Sequence, residues 1–217
     1  MIELVCRLEA QMCEKVATVN LGFGEELFPA GVHICLVYRD ETERQRVVSR
    51  FVESGLLGKE RVFYIADTIT TEEVANWLGE LEVDIEPERQ SGAFTVDVAA
   101  TTYCPEGVFV PEQMCETLKQ VYSSAFDAGY PASRVTGEMS WALRGISGSD
   151  RLIEYESAVN TVLQTHPITA MCQYDANRFS GRTVFEALQV HPYMIMNEHV
   201  VKNPYYLREA PNSQHAP

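Results

Sequence analysis

Aromatic and acidic side chains end several apolar runs of this sequence, and they are the first candidates for a binding site. In open α/β sheets, ligands bind beyond the carboxyl ends of the strands. Tyr38 ends the run at residues 32–38, and Glu138 and Trp141 lie at the end of the run that begins at residue 134. Aromatic walls with a few orienting polar groups suit a small organic molecule that is partly apolar. We therefore predict a small-molecule site at these strand ends.

His33 and Cys35 lie two residues apart in a predicted strand, so their side chains face the same side of it. Imidazole and thiolate groups bind transition metals, and Cys172 or His191 could complete such a site. We expect instead that Cys35 packs in the core and that His33 makes local hydrogen bonds, since this is the commoner role of such residues. Cys35 has no evident base beside it and is a weak candidate nucleophile. We therefore assign no metal, no cofactor and no catalytic residue.

Glu138 follows Gly137 near the end of a predicted buried strand, at the position that a Walker B acid would take. A buried carboxylate must be solvated, protonated or paired with a cation. Arg134, Arg144 and Arg178 are the candidate partners. A structural ion pair and a role in ligand binding are equally consistent with this position.

A predicted helix over residues 149–164 carries Glu156 and Asn160 one turn apart, beside its apolar stripe. Polar pairs at this spacing can contact each other and position a neighbouring loop. A solvated helix face is the commoner explanation. We favour the solvated face, and a position beside the core that fixes a neighbouring loop is the alternative.

Residues 31–51 read as a buried strand, a short turn and a helix, which is the layout that carries a phosphate loop in nucleotide-binding α/β proteins. A Walker-type loop needs glycines, so that backbone N–H groups can surround phosphate, and a lysine with Ser or Thr for the phosphates and magnesium. The turn here is Tyr38-Arg-Asp-Glu-Thr42 instead. Its two carboxylates repel a polyphosphate and occupy the positive end of the helix. We therefore predict a scaffold that does not hydrolyse ATP.

Strand and helix patterns alternate through the sequence, which predicts an α/β fold with a three-layer, mostly parallel, doubly wound sheet. Several of the predicted strands are continuous apolar runs, as expected for parallel strands that are buried on both faces. The predicted strands span residues 32–38, 61–66, 94–98, 134–139, 168–174 and 193–196.

Composition limits the classes of partner. The 217 residues are 46% hydrophobic, which is enough for one well-filled domain. The formal net charge of −14, from 31 acidic and 17 basic residues, disfavours direct binding to nucleic acid and to anionic membranes. The six cysteines form no CxxC pair, and no run resembles a signal peptide or a membrane span. We expect a cytoplasmic protein whose partner is a small molecule or another protein.

Seven short segments in a fixed order resemble the MEDS family, the sensory domain named for methanogens, methylotrophs and the dichloromethane-responsive regulator. The resemblance implies a RecA/KaiC-like fold that has lost its phosphate loop, and a role in sensing small hydrocarbon derivatives. We place this domain at residues 28–207, after a lead-in segment at 1–27 and before a flexible tail at 208–217. The segments are His33-Ile-Cys35, Gly55-Leu-Leu-Gly-Lys-Glu60, Thr136-Gly-Glu-Met-Ser-Trp141, Tyr155-Glu-Ser-Ala-Val-Asn160, Cys172-Gln-Tyr-Asp175, His191-Pro192 and Asn203-Pro-Tyr-Tyr206.

We interpret the sequence as a non-catalytic sensory domain that binds a small, partly apolar molecule of the hydrocarbon-derivative type. No attached DNA-binding module is recognisable, so we expect the output to be a separate regulatory protein. The alternatives are an enzyme of small-molecule metabolism on the same degenerate scaffold, and a pure protein-interaction module. Homo-oligomerisation and residual nucleotide binding are left open. The candidate ligand-binding residues are His33, Cys35, Tyr38, Glu138, Trp141, Tyr174 and Asp175.

Overall fold

A seven-stranded sheet forms the centre of the protein, in a computed structural model that describes residues 18–207. Its strand order is β5-β4-β6-β7-β3-β8-β9, and every neighbouring pair is parallel except β8 with β9. Two further strands, β1 and β2, form a separate antiparallel pair. The strands are β1 Thr18–Asn20, β2 Leu27–Pro29, β3 His33–Tyr38, β4 Arg61–Ala66, β5 Phe94–Val98, β6 Ser133–Glu138, β7 Ile168–Asp175, β8 Tyr193–Met196 and β9 His199–Lys202.

Helices connect the parallel strands and cover both faces of the sheet. The α-helices are α1 Glu41–Leu57, α2 Thr71–Gly79, α3 Glu86–Ser91, α4 Ala99–Thr102, α5 Pro111–Asp127, α6 Leu152–Thr165 and α7 Gly181–Val190. Two 3₁₀ helices, Met139–Arg144 and Ser149–Arg151, lie between β6 and α6. None of the helices between residues 18 and 207 has the length and apolar content that a bilayer crossing requires.

The predicted fold class is confirmed, and all six predicted strands are present with ends within one residue of the prediction. The sequence pattern does not predict β1, β2 or β9. These strands are three or four residues long and so carry too few residues for a detectable alternation. The predicted tail at 208–217 and the first 17 residues of the predicted lead-in lie outside the described residues.

Alternation of side chains along the strands builds two separate hydrophobic cores. On one face, Ile34 and Leu36 of β3 pack with residues of α1 and α2. On the other face, Cys35 packs in a core that includes residues of α5, α6 and α7. The sheet therefore separates two interior environments, and each polar side chain of a strand belongs to one of them.

Arg134 and Glu60 form a buried ion pair on the α1 side of the sheet. The Arg134 guanidinium also donates to the carbonyl oxygens of Phe51 and Asn20, at 2.6 and 2.9 Å. Arg134 is thereby fully engaged, and it does not pair with Glu138 as one sequence-based alternative suggested.

Gly137 permits a close contact between β6 and an aromatic cluster on the α6 side. A Cβ atom at this position would lie 2.2 Å from the hydroxyl oxygen of Tyr103. Tyr103 in turn stacks on Trp141, with ring centroids 4.9 Å apart. A glycine inside a strand is often explained by such a close approach, and here it seats Tyr103 against the sheet.

Candidate functional site

Arg44 of α1 is buried at the carboxyl ends of the strands and pairs with Glu138 of β6. The Arg44 Nη2 to Glu138 Oε1 distance is 2.7 Å. The guanidinium also donates to Gln173 Oε1 at 3.0 Å and to the hydroxyls of Tyr64 and Thr68 at 3.1 and 3.0 Å. Glu138 accepts from the Thr68 N–H at 2.7 Å. We call Arg44, Glu138, Tyr64, Thr68 and Gln173 the Arg44 cluster.

This cluster neutralises Glu138, the acid that ends β6. Glu138 accepts from the hydroxyl groups of Tyr64 and Thr68 in addition to its ion pair. Its negative charge is therefore compensated from within the chain, by a cation that is 1% exposed. A carboxylate in this state does not require a magnesium ion for its charge.

The first turn of α1 is also satisfied by its own side chains. Asp40 is the N-cap residue, and its side chain accepts from the Glu43 N–H at 2.8 Å. Glu43 accepts from the Arg39 N–H at 3.3 Å. Glu41 Oε1 lies 3.2 Å from Arg44 Nη1. Carboxylates thus cover the helix end that a phosphate group would need.

On the opposite face of the sheet, four buried side chains form what we call the histidine cluster: His33, Glu156, Cys172 and His191. Their donor atoms all lie within 4.8 Å of one another. The four residues are contributed by β3, α6, β7 and the C-cap of α7. Glu156 is 0% exposed, so the prediction that it lies on a solvated helix face was wrong.

Residues around the histidine cluster orient both imidazole rings. Asn160 Nδ2 donates to the Val190 carbonyl at 2.7 Å, so its Oδ1 faces His33 Nδ1 at 3.2 Å and accepts a hydrogen bond from that N–H. His191 Nδ1 lies 2.7 Å from the Ala187 carbonyl oxygen, which only accepts. Each ring therefore carries its proton on Nδ1 when neutral and directs an Nε2 lone pair into the cluster.

Burial controls the ionisation of these groups. Burial, and next the neighbouring His191, lowers the pKa of His33 from its ordinary value to about 4, so that ring is neutral near pH 7. Burial, and next the charge of Glu156, raises the pKa of the Cys172 thiol well above its ordinary value. The Tyr174 hydroxyl donates to Glu156 Oε1 at 2.5 Å, while burial raises the pKa of that phenol.

The sheet divides the seven candidate residues that we predicted from the sequence. Tyr38 and Glu138 lie at the Arg44 cluster, where burial raises the pKa of Tyr38 to about 12. His33 belongs to the histidine cluster, and Cys35 and Tyr174 lie beside it on the same face.

The last two candidates are members of neither cluster, although Asp175 pairs in register with Tyr38 beside the Arg44 cluster. Trp141 packs in the aromatic cluster with Tyr103, Phe109 and Tyr155. Asp175 ends β7 and accepts from the Asn177 N–H at 2.9 Å. The structure therefore does not gather the seven residues into one pocket.

Sequence reasoning missed Arg44 and misjudged Glu156, although both positions carry a detectable signal. Arg44 lies three and four residues before Val47 and Val48, so it falls on the apolar stripe of α1. Glu156 lies next to Tyr155 and three residues before Val159 on the buried side of α6. A charged residue on a buried stripe requires a partner, and the structure supplies one in each case.

A groove with a cavity volume of about 790 Å³ lies between α6 and α7. Ile153, Val190, Pro192 and Leu207 contribute apolar surface to it, and other lining residues are polar. Asn160 also lines the groove while bonding to His33. The groove is thus connected to the histidine cluster through Asn160.

The sequence matches the family model named MEDS, described as the methanogen/methylotroph, DcmR sensory domain, over residues 32–192. The chain belongs to the MEDS family. A curated relative is the transcriptional repressor DcmR of Methylorubrum extorquens, which is 24% identical over 160 residues. The match covers 73% of this chain but only 57% of the repressor. Family and relative together support a regulatory, sensory role for this MEDS domain.

Two archaeal structures share the fold of this MEDS domain. The flagellar accessory protein FlaH of Methanocaldococcus jannaschii superposes with a TM-score of 0.59 at 13% identity, over 86% of this chain and 84% of FlaH. The KaiC-like protein PH0186 of Pyrococcus horikoshii superposes with a TM-score of 0.59 at 15% identity, over 82% and 79% of the two chains. These similarities confirm the RecA/KaiC-like architecture.

Proposed function

We propose that this MEDS domain is a non-catalytic sensor that binds a small, partly apolar organic molecule in the groove between α6 and α7 and signals to a separate regulatory protein. The observation that carries the proposal is the position of Asn160. Its side chain lines the groove, donates to the Val190 carbonyl oxygen at 2.7 Å and accepts from His33 Nδ1 at 3.2 Å. A molecule that contacts Asn160 therefore acts on a buried polar network as well as on the surface.

The groove has the size and the mixed chemistry that small ligands require. Its volume of about 790 Å³ falls within the range of roughly 300–1,000 Å³ that holds drug-sized ligands, so a short molecule would fill only part of it. Its apolar side chains provide contact area, and Asn160 and Thr161 provide groups that orient a ligand. This lining supports a ligand such as a short alcohol, amine or haloalkane with an apolar body.

The Arg44 cluster supports a binding role over phosphoryl transfer. Arg44 neutralises Glu138, and carboxylates cover the start of α1. Phosphoryl transfer depends on backbone amides, a lysine and a magnesium ion around the phosphates. None of these requirements is met by the turn at residues 38–42 within the described part of the chain.

The signalling half of the proposal rests on the likeness to DcmR, a transcriptional repressor. We infer that ligand binding changes the surface formed by α6, α7 and residues 206–207, which line the groove. A regulatory protein that binds this surface would respond to occupancy because the ligand favours one of its states. Affinity capture of partner proteins with and without the stabilising ligand tests the signalling half. Capture of the same partners in both conditions would contradict it.

Thermal unfolding with a panel of short alcohols, amines and haloalkanes tests the binding half. A ligand at about a hundred times its dissociation constant adds about 2.7 kcal/mol to the free energy of unfolding. Gln164→Trp places a large ring in the groove and should remove this stabilisation. The matched control is Gln120→Trp at an exposed position of α5, which should keep it. Equal stabilisation of both variants would place the ligand elsewhere.

A further inference from the structure

Four of the six donor–donor distances in the histidine cluster match those of a tetrahedral metal site. Glu156 Oε2 lies 3.3 Å from His33 Nε2, 3.5 Å from His191 Nε2 and 3.3 Å from Cys172 Sγ. His33 Nε2 lies 3.5 Å from Cys172 Sγ. Tetrahedral zinc with bonds of about 2.0–2.3 Å places its donor atoms roughly 3.3–3.7 Å apart. Four donor pairs thus already have the spacing of ligands around one ion.

The second ring nitrogen of each imidazole has the kind of partner that is typical of metal-binding histidines. A metal-binding histidine usually donates its second ring N–H to a carbonyl or carboxylate oxygen, which fixes the tautomer. His33 Nδ1 donates to Asn160 Oδ1 at 3.2 Å, and His191 Nδ1 donates to the Ala187 carbonyl at 2.7 Å. Both Nε2 atoms lie within 3.5 Å of the same carboxylate oxygen of Glu156, and the two rings lie against each other with centroids 3.9 Å apart.

Hydrogen bonds alone leave this arrangement incomplete. His191 is fully buried, and its Nε2 atom has no hydrogen-bond partner. The nearest group is the Glu156 carboxylate oxygen at 3.5 Å, so a second proton on the ring or a metal ion would each give this nitrogen a partner. A buried acceptor without a donor is costly, and a metal ion between these atoms would remove that cost.

The charges of the donor set also suit a divalent ion. Two neutral imidazoles, one carboxylate and one thiolate carry two negative charges in total, which a divalent cation cancels. Coordination would release the Cys172 thiol proton to solvent and form a bond from sulfur to the metal. The mixture of nitrogen, sulfur and oxygen donors favours zinc over magnesium or calcium, which prefer oxygen alone.

We propose that His33, Glu156, Cys172 and His191 together bind one zinc-type divalent metal ion. All four ligands come from the protein and are buried, so the site is closed like structural zinc sites rather than open like catalytic ones. The ion joins β3, α6, β7 and the end of α7 at one point. This inference goes beyond the groove ligand and does not depend on it.

Titration of the chelator-treated full chain with Co²⁺, followed by competition with Zn²⁺, tests the proposal. We expect one equivalent of Co²⁺ per chain, with the ligand-field bands of a tetrahedral site and a thiolate-to-cobalt charge-transfer band. Cys172→Ser should abolish the charge-transfer band, and His191→Gln should weaken binding by at least tenfold. Cys115→Ser and His166→Gln are the matched controls outside the cluster, and they should leave the spectrum unchanged.

Asn160→Ala keeps the test meaningful if a ligand variant does not fold. Loss of the hydrogen bond to His33 should lower metal affinity by about 10–100-fold while the four ligands stay in place. Wild-type protein that is folded by circular dichroism but gives no cobalt spectrum would overturn the proposal. A charge-transfer band that persists in Cys172→Ser would overturn it too. The readout is metal binding, so its failure leaves the small-molecule test in the groove unaffected.

Discussion

Arg44 and Glu138 are two single residues whose roles depend entirely on each other. Each is about 1% exposed, and their charged groups lie 2.7 Å apart. Removal of one partner from a buried ion pair leaves an uncompensated charge inside the protein. The pair therefore explains why α1 can place an arginine on its apolar side.

Arg44→Met should lower the free energy of unfolding by about 3–5 kcal/mol, because Glu138 would stay buried without its cation. Chemical denaturation of the wild type and the variant measures this loss. The double variant Arg44→Met with Glu138→Gln should recover part of it, since the orphaned charge is then absent. An equal loss in the single and double variants would show that the pair is not the source.

Gly137 is a second residue with a defined steric role. Gly137→Ala should destabilise the fold by about 1–3 kcal/mol, because the new Cβ would meet the Tyr103 hydroxyl at 2.2 Å. The measurement is urea denaturation. Tyr103→Phe removes the clashing oxygen and should make the same alanine substitution milder. An alanine variant as stable as the wild type would contradict the proposed contact.

For single residues, the sequence identifies the important side chains more reliably than it identifies their partners. Glu138 was identified as an acid that needs a partner, but three other arginines were proposed for it. Arg134 and Arg144 instead pair with Glu60 and Asp67. Ion-pair partners depend on which side of the sheet each residue faces and on helix placement, and one sequence contains little of that information.

Helix α1 shows how an element excludes a ligand by satisfying its own end. Asp40 caps the helix, and Glu43 accepts from the backbone that precedes it. Half of a capping box is present, because Glu43 accepts from the N–H of Arg39 instead of that of Asp40. The element itself was predictable, since the apolar stripe of Val47, Val48, Phe51 and Val52 has helical spacing.

Asp40→Ala should cost about 1 kcal/mol of stability, because the Glu43 N–H would lose its acceptor. Thermal or urea denaturation measures the change. Asp40→Asn is the control, since asparagine caps helices about as well as aspartate, and it should stay close to the wild type. A large loss in the asparagine variant would indicate a role for the charge beyond capping.

At the scale of the whole molecule, the order of elements was predictable because buried parallel strands are continuous apolar runs between helical segments. The division of the candidate residues between two faces was not predicted. His33 opens β3 and Tyr38 closes it, and their side chains point to opposite sides of the sheet. Choosing site residues only because they lie near strand ends groups such residues together, although they lie on opposite faces of the sheet.

The whole protein should not be stabilised by ATP with magnesium. No phosphate cradle is available at the turn before α1, and the nearby acids repel a triphosphate. Thermal unfolding at millimolar nucleotide should therefore give an unchanged midpoint. A saturable increase in the midpoint would show that nucleotide binds, and release of phosphate by the purified protein would contradict the interpretation of this fold as a non-hydrolysing one.

Strand β7 contributes side chains to both buried polar regions, the Arg44 cluster on one face of the sheet and the histidine cluster on the other. Gln173 reaches Arg44 on one side, while Cys172 and Tyr174 reach Glu156 on the other. Because these three residues are consecutive in one strand, a shift of the strand would move all of them. If a molecule or ion bound at the histidine cluster changes the stability of the Arg44–Glu138 pair, the pair changes the affinity of the cluster by the same factor. Substitutions at Arg44 would then change the affinity of the histidine cluster, although Arg44 does not contact it.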